Sequence, residues 1–194
     1  MEKTNRARKL VLKIKAAIFD VDGVLTDNTV LEGGTDKGKR RSYYDGQGVS
    51  LLRAIGIQIA FVTNEKDDSA AHIINVVEKW NKLPSSSKKP GDGGWEHIRL
   101  YTGMDGPKKV VAIEEWLAEI GVSFEECAFM GDDLIDLPLL KKVTFRAVPM
   151  SADPYIKNLA DFVSDRPGGY GALRDFANFI LKIRGIDPGI LPSQ

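Results

Sequence analysis

Short apolar runs with polar residues at their ends alternate along the chain with segments of helical spacing. Five runs are typical of buried strands, at residues 16–19, 57–63, 98–101, 128–130 and 143–148. Apolar positions at helical spacing follow in four segments, at residues 49–55, 110–120, 156–159 and 173–180. This alternation predicts an α/β fold, a Rossmann-like three-layer α/β/α arrangement around a parallel sheet.

Two segments depart from the alternation. Residues 29–44 contain three glycines between β-forming residues, which predicts a small β-hairpin inserted after the first strand. Residues 83–94 are rich in Pro, Ser, Lys and Gly, which predicts a mobile surface loop. Neither segment is long enough for a large cap, and no linker divides residues 1–194, so we expect a single domain.

Composition narrows the classes of partner. Lys plus Arg and Asp plus Glu number 27 each, and this neutral balance argues against a nucleic-acid partner. The lone Cys127 excludes an internal disulfide and gives no support to a thiolate metal site. No apolar run approaches the length of a membrane span, and Lys13 and Lys15 interrupt the only signal-like segment, so we expect a cytoplasmic protein.

Polar residues at the strand ends are the candidates for chemistry, because ligands of open parallel sheets bind there. Asp20 and Asp22 follow the first strand, and such a pair can supply a nucleophile and a general acid/base, although a solvated acidic turn is an equal alternative. Thr63 and Asn64 follow the second strand and can bind phosphate oxygens, but taken alone they favour a helix cap.

Two further groups complete the set. Lys108 and Lys109 open a predicted helix against its dipole, which indicates an anionic partner for one of them. Asp132, Asp133 and Asp136 follow Gly131, and Asp132 and Asp136 are spaced to share one helix face, where they could bind Mg²⁺, with helix capping as the alternative. The four groups together favour one site over four unrelated local roles.

These motifs resemble those of the haloacid dehalogenase superfamily of phosphohydrolases. The similarity is greatest to its small capless branch, the 3-deoxy-D-manno-octulosonate 8-phosphate and nonulosonate 9-phosphate phosphatases, and to a domain that follows some sialic-acid cytidylyltransferases. It is carried by the residues above and by Tyr44–Gly48 and Gly168–Asp175, and it spans roughly residues 15–180.

The resemblance implies a role for each residue. Asp20 would be the nucleophile and a magnesium ligand, and Asp22 the general acid/base with its backbone carbonyl on the metal. Asp132 would be the remaining protein ligand, while Asp133 and Asp136 would orient outer-shell water and the lysine. Thr63, Asn64 and Lys109, chosen over Lys108, would bind phosphate. The substrate would be a phosphorylated sugar acid, cleaved through an aspartyl-phosphate.

Two departures from the family pattern bear on the substrate. Relatives often carry Thr-Gly-Arg where this chain has Thr63-Asn64-Glu65, so a positive contact is replaced by an acid, and the loop at 83–94 is longer. The resemblance also implies a homotetramer built by the hairpin, with residues 166–174 reaching a neighbouring site or serving only as a helix-entry loop. A non-catalytic oligomerisation domain and a phosphomutase are the alternatives, and the second generally needs a large cap.

Overall fold

A single parallel sheet forms the centre of the protein. The computed structural model describes residues 2–30 and 38–192, and its six strands are β1 Ala16–Asp20, β2 Gln58–Val62, β3 Arg99–Tyr101, β4 Cys127–Met130, β5 Phe145–Val148 and β6 Phe162–Val163. The spatial order is β3-β2-β1-β4-β5-β6, and every pairing is parallel. The chain proceeds from β1 through β2 to β3 at one edge and then crosses to β4 on the other side of β1. Such a change of direction leaves a crevice at the carboxyl ends of β1 and β4, where ligands of open parallel sheets bind.

Seven helices cover the two faces of this sheet. They are α1 Glu2–Val11, α2 Tyr43–Ala54, α3 Asp67–Asn81, α4 Gly106–Glu119, α5 Leu137–Leu140, α6 Pro154–Leu159 and α7 Ala172–Arg184. One apolar core holds residues of α2, α3 and α7, and the other holds residues of α4, α5 and α6. Alternate residues of β1 enter the two cores, which explains why the strand is apolar at every position before Asp20. The three-layer α/β/α prediction is therefore confirmed.

Four strands or helices lie outside the residue ranges predicted from the sequence, namely β6, α1, α3 and α5. The two-residue strand β6 is too short to show any periodicity, and α1 is mostly polar. In the described part of the chain, the helices are all too short or too polar to cross a membrane.

The insertion after β1 is small. An antiparallel bridge joins Thr26 to Arg41, and the Asp27 N–H donates to the Arg40 carbonyl at 3.2 Å. Residues 31–37 of the predicted hairpin lie outside the described residues. No large cap is present in the part of the chain that the structure describes, as expected.

The loop at 83–94 is more regular than its composition indicates. It lies at the surface but contains two single turns of 3₁₀ helix, Pro84–Ser87 and Pro90–Asp92. The buried Arg53 guanidinium anchors its base by donating to the Ser86 hydroxyl at 2.8 Å and to the Glu96 carbonyl at 2.7 Å. Its predicted mobility stays a prediction.

Asp45 ties α2 to the start of α7. Its fully buried carboxylate accepts hydrogen bonds from the Gly171 N–H at 3.0 Å and the Leu173 N–H at 2.9 Å. Burial raises the pKa of Asp45 to about 6, against the effect of these donors. The first turn of α7 would otherwise present unsatisfied donors inside the protein.

We therefore expect Asp45→Ala to lower the free energy of unfolding by about 2–4 kcal/mol, because it leaves two buried N–H groups without acceptors. Urea unfolding followed by circular dichroism measures this loss. The matched control is Asp187→Ala, which removes a cap from an exposed turn near the C-terminus and should cost less than about 1 kcal/mol. Equal losses in the two variants would contradict the assigned role.

Candidate active site

A cavity of about 280 Å³ opens at the carboxyl ends of β1, β2 and β4. It brings together polar residues that lie far apart in the sequence, because parallel strands present their carboxyl ends at one edge of the sheet. The residues that line it are Asp20, Asp22, Asn28, Thr63, Asn64, Glu65, Lys109, Asp132, Asp133 and Ile135.

The loop after β1 turns tightly so that two carboxylates face this cavity. Gly23 has φ of +83°, a conformation that favours glycine, and a Cβ there would lie 1.9 Å from Asp132 Oδ2. Thr26 closes the loop by donating its N–H to the Val21 carbonyl at 2.9 Å and its hydroxyl to Asp22 Oδ1 at 3.1 Å. The turn is buried and closed by its own hydrogen bonds, whereas the alternative was an acidic turn exposed to solvent.

Lys109 occupies the centre of the site. Its ammonium donates to Asp20 Oδ1 at 2.8 Å and to Asp136 Oδ1 at 2.7 Å, and its side chain is only 1% exposed. Lys108, the other candidate, is largely exposed and pairs with Asp105 at 2.9 Å. The first turn of α4 thus points Lys108 into solvent and Lys109 into the cavity.

The acidic segment after β4 has a different shape from the one its spacing indicates. Asp132 and Asp136 do not share a face of one helix, because a 3₁₀ turn at Leu134–Asp136 precedes α5. The Asp136 carboxylate instead folds back, and its Oδ2 accepts the Asp132 N–H at 2.9 Å. A Cβ on Gly131 would lie 2.4 Å from that oxygen, which requires a glycine at this position.

Asp133 takes the capping role that was the alternative for this segment. It is exposed at the cavity rim, and its carboxylate accepts the Leu134 N–H at 2.6 Å. The described hydrogen bonds of the Lys109 ammonium go to Asp20 and Asp136. Within the described residues, Asp136 is therefore hydrogen-bonded to the lysine, and Asp133 is not.

The site carries more negative than positive charge in a small buried volume. Asp20, Asp132 and Asp136 can each place one oxygen within 4.8 Å of the others. Burial, and then the Asp136 charge, raises the pKa of Asp20 well above its ordinary value, and burial with the same neighbour raises the pKa of Asp132 to about 7. Burial alone would lower the pKa of Lys109, but Asp20 and Asp136 raise it.

This set of groups suits a hard divalent cation. Closely spaced carboxylate oxygens are the ligands that Mg²⁺ prefers, and a cation there would relieve the repulsion that one ammonium leaves uncompensated. Gly23 leaves room for the Asp132 carboxylate at the site, because any side chain on residue 23 would collide with it. The donor set therefore fits the metal that the sequence predicted.

Thr63 and Asn64 line the cavity on the side of β2. The buried Thr63 hydroxyl accepts the Glu65 N–H at 3.1 Å and lies 3.5 Å from Asp22 Oδ2. The interpretation of these residues as helix caps is wrong, because α3 begins only at Asp67 and Ser69 bonds to the Lys66 backbone there. Both residues line the cavity instead.

Lys39 is a site residue that the sequence did not reveal. Its ammonium donates to Asp22 Oδ1 at 2.6 Å and to Glu65 Oε1 at 2.9 Å, and its side chain is 7% exposed. Glu65, the acid that stands where relatives often carry an arginine, is therefore paired with a lysine. In the sequence, Lys39 stands out only as part of a basic run at residues 37–41, and no regular spacing links it to Glu65.

The glycine loop before α7, residues 168–171, packs against the turn after β1. The Gly169 N–H donates to the Val24 carbonyl at 3.0 Å, and a Cβ on Gly168 would lie 1.7 Å from the Gly23 carbonyl oxygen. The loop enters α7 within its own chain, which agrees with the helix-entry interpretation. A reach into a neighbouring subunit stays a prediction.

Comparisons with known proteins agree with this geometry. The family model of haloacid dehalogenase-like hydrolases matches residues 67–168, a little over half of the chain. The chain is 30% identical to the 3-deoxy-D-manno-octulosonate 8-phosphate phosphatase of Haemophilus influenzae over 173 residues, covering 89% of this chain and 85% of that protein.

Solved structures show the same fold. The 3-deoxy-D-manno-octulosonate 8-phosphate phosphatase of Yersinia pestis superposes with a TM-score of 0.79 at 25% identity, covering 98% of this chain and 92% of that one. The cobalt-bound form of the deoxy-D-mannose-octulosonate 8-phosphate phosphatase of Haemophilus influenzae gives a TM-score of 0.72 at 28% identity, covering 91% and 92% of the two chains.

The buried ammonium should be essential for the stability of the metal-free protein. Lys109→Met leaves Asp20, Asp132 and Asp136 facing one another without a positive charge, so we expect the free energy of unfolding to fall by about 3–5 kcal/mol. Urea denaturation in EDTA near neutral pH measures the loss. Lys108→Met, one residue away and exposed, should stay within about 0.5 kcal/mol of the wild type. A Lys109→Met variant as stable as Lys108→Met would refute the central ion pair.

Proposed function

This chain belongs to the haloacid dehalogenase-like hydrolases and is a phosphatase, and we propose that it hydrolyses a sugar-acid phosphate through a covalent aspartyl-phosphate on Asp20. The observation that carries the proposal is the convergence of Asp20, Asp22, Lys109 and Asp132 on one cavity. A nucleophile, an acid/base, a cation and a metal ligand are the groups that phosphoryl transfer requires in one place.

In the first step, a carboxylate oxygen of Asp20 attacks phosphorus, and the ester P–O bond breaks. Asp22 in its acid form gives its proton to the departing sugar oxygen. In the second step, the Asp22 carboxylate takes a proton from water, whose oxygen attacks the same phosphorus. The bond to Asp20 then breaks, and both carboxyl groups return to their starting forms. Asp20 and Asp22 lie on one turn and line one cavity, which supports this division of roles.

The remaining residues bind charge. Lys109 would neutralise a phosphate oxygen from its position beside Asp20, and Thr63 and Asn64 would donate hydrogen bonds to the others. Mg²⁺ would be held by Asp20, Asp132 and the backbone carbonyl of Asp22, and its chemistry there is to neutralise developing negative charge on phosphate oxygens. Asp136 would orient Lys109, and Asp133 would act from the rim.

The substrate that we propose is a phosphorylated 3-deoxy-ulosonic acid such as 3-deoxy-D-manno-octulosonate 8-phosphate. The relatives with that name, at 25–30% identity over most of the chain, support it. A nonulosonate 9-phosphate or another sugar phosphate is the alternative, since Glu65 replaces an arginine that relatives often carry. The non-catalytic alternative loses support because all four catalytic positions are retained and lie together.

A homotetramer remains part of the proposal. The strongly exposed aromatic rings of Tyr43 and Tyr44, beside the inserted segment, support burial against another chain. A solution mass equal to one chain, measured by light scattering, would remove this part. The cytoplasmic location stays a prediction from the sequence.

The nucleophile assignment predicts the outcome of one substitution. Asp20→Asn should lower the turnover of p-nitrophenyl phosphate in Mg²⁺ on the order of 10³-fold or more, with an unchanged circular dichroism spectrum, because an amide cannot form the phosphoryl ester. EDTA should abolish wild-type turnover, and Mg²⁺ should restore it.

Asp105→Asn serves as the matched control, since it removes a carboxylate that pairs with Lys108 outside the cavity. It should keep wild-type turnover. Substantial activity in Asp20→Asn, or a wild type indifferent to EDTA, would exclude the proposed mechanism.

The substrate proposal predicts a ranking. With Mg²⁺, kcat/KM for octulosonate 8-phosphate or a nonulosonate 9-phosphate should exceed that for simple sugar phosphates by on the order of 10²-fold, because binding of remote groups lowers the barrier. Phosphate release across a panel of these esters measures it. Equal, slow hydrolysis of every ester would exclude a specific sugar acid while leaving the phosphatase activity intact.

A further inference from the structure

Lys39 joins two acids on the wall of the cavity away from Lys109. Its ammonium lies 2.6 Å from Asp22 and 2.9 Å from Glu65, and its side chain is almost fully buried. Lysine has a flexible stem and a strongly hydrated head, so two carboxylates within hydrogen-bond distance are needed to hold its ammonium at a largely buried position. The motif roles assigned above give this residue no function.

The two oxygens of Asp22 have unequal surroundings. Oδ1 accepts from the Lys39 ammonium at 2.6 Å and from the Thr26 hydroxyl at 3.1 Å, which fixes its position. Among the described residues, the one hydrogen bond to Oδ2 is a long one of 3.5 Å, donated by the Thr63 hydroxyl. Oδ2 is therefore the oxygen with the capacity to exchange a proton with a bound ester or a water molecule.

Glu65 is what tethers the lysine. Its N–H donates to the Thr63 hydroxyl at 3.1 Å, so its backbone is held just before the start of α3. The carboxylate then holds the Lys39 ammonium at 2.9 Å. Glu65 thus acts on Asp22 through Lys39, and the ammonium compensates one of the two negative charges that an anionic substrate would otherwise meet.

We propose that Lys39 is a positioning residue for the leaving-group side of the reaction, tethered by Glu65 and fixing Asp22 Oδ1 so that Oδ2 faces the departing oxygen. This inference rests on the proposed function, in which Asp22 gives its proton to that oxygen. The proton transferred is the one already counted there, so Lys39 itself gains and loses none.

A comparison of two leaving groups tests the proposal. Lys39→Met should slow single-turnover cleavage of the fastest sugar phosphate in the panel by about 10–100-fold, because an alkoxide must be protonated as it leaves. In the same single-turnover assay, the variant should release p-nitrophenolate within about threefold of the wild-type rate, because this phenolate leaves without that proton. KM for the sugar phosphate should change little, and Lys39→Arg should recover part of the rate.

Two further variants complete the test. Lys108→Met removes an exposed lysine outside the cavity and should match the wild type on both esters. Glu65→Gln keeps the size of the side chain but weakens the tether, so it should show the same leaving-group selectivity to a smaller degree. It provides a second readout if Lys39→Met does not fold, which circular dichroism would reveal.

The outcomes separate the inference from the proposed function. Equal losses on both esters would show a structural or phosphate-binding role and overturn the inference, as would wild-type rates in Lys39→Met. Wild-type rates on both esters in Glu65→Gln would overturn the tether. A wild type that cleaves neither ester with Mg²⁺ would instead refute the proposed function.

Discussion

The buried ammonium of Lys109 is the interaction on which the site depends. It lies between Asp20, at the tip of β1, and Asp136, in the turn after β4, with hydrogen bonds of 2.8 and 2.7 Å. Without a positive charge there, carboxylates from two adjacent strands could not approach so closely in a buried volume. The lysine thus allows an acidic cluster to form before any metal binds.

The second requirement is close approach of backbone loops. Gly23 and Gly168 each stand where a side chain would collide with a carboxylate or a carbonyl group of a neighbouring loop, and a side chain on Gly131 would collide with Asp136 in its own loop. The loops after β1 and β4 and the one before α7 therefore pack as one unit. The Asp45 carboxylate holds that unit to α2 from the far side of the glycine loop. The turn after β1 is thus held by contacts with both neighbouring loops.

Glu65 illustrates how a departure from a family pattern is accommodated. An acid in place of an arginine would repel an anionic substrate if it stood alone. Here Lys39 pairs with it and with Asp22 at once, so one of the two negative charges is compensated and the ammonium is held between the two carboxylates. The change of residue has thus altered how one wall of the cavity is organised, while the residues around Lys109 follow the pattern that the sequence predicted.

The sequence by itself determined the layered parallel fold and the positions at strand ends that could carry chemistry, because burial of a strand on both faces and a polar residue after it are local patterns. It named Asp20, Asp22, Thr63 and Asp132 for that reason. The family resemblance favoured Lys109 over Lys108, and the structure places Lys109 in the cavity and Lys108 outside it. Only the tertiary structure folded Asp136 back onto the Asp132 N–H and paired Lys39 with Glu65. These contacts join residues that the turn geometry and the sheet order bring together in space. No periodicity in the sequence records them.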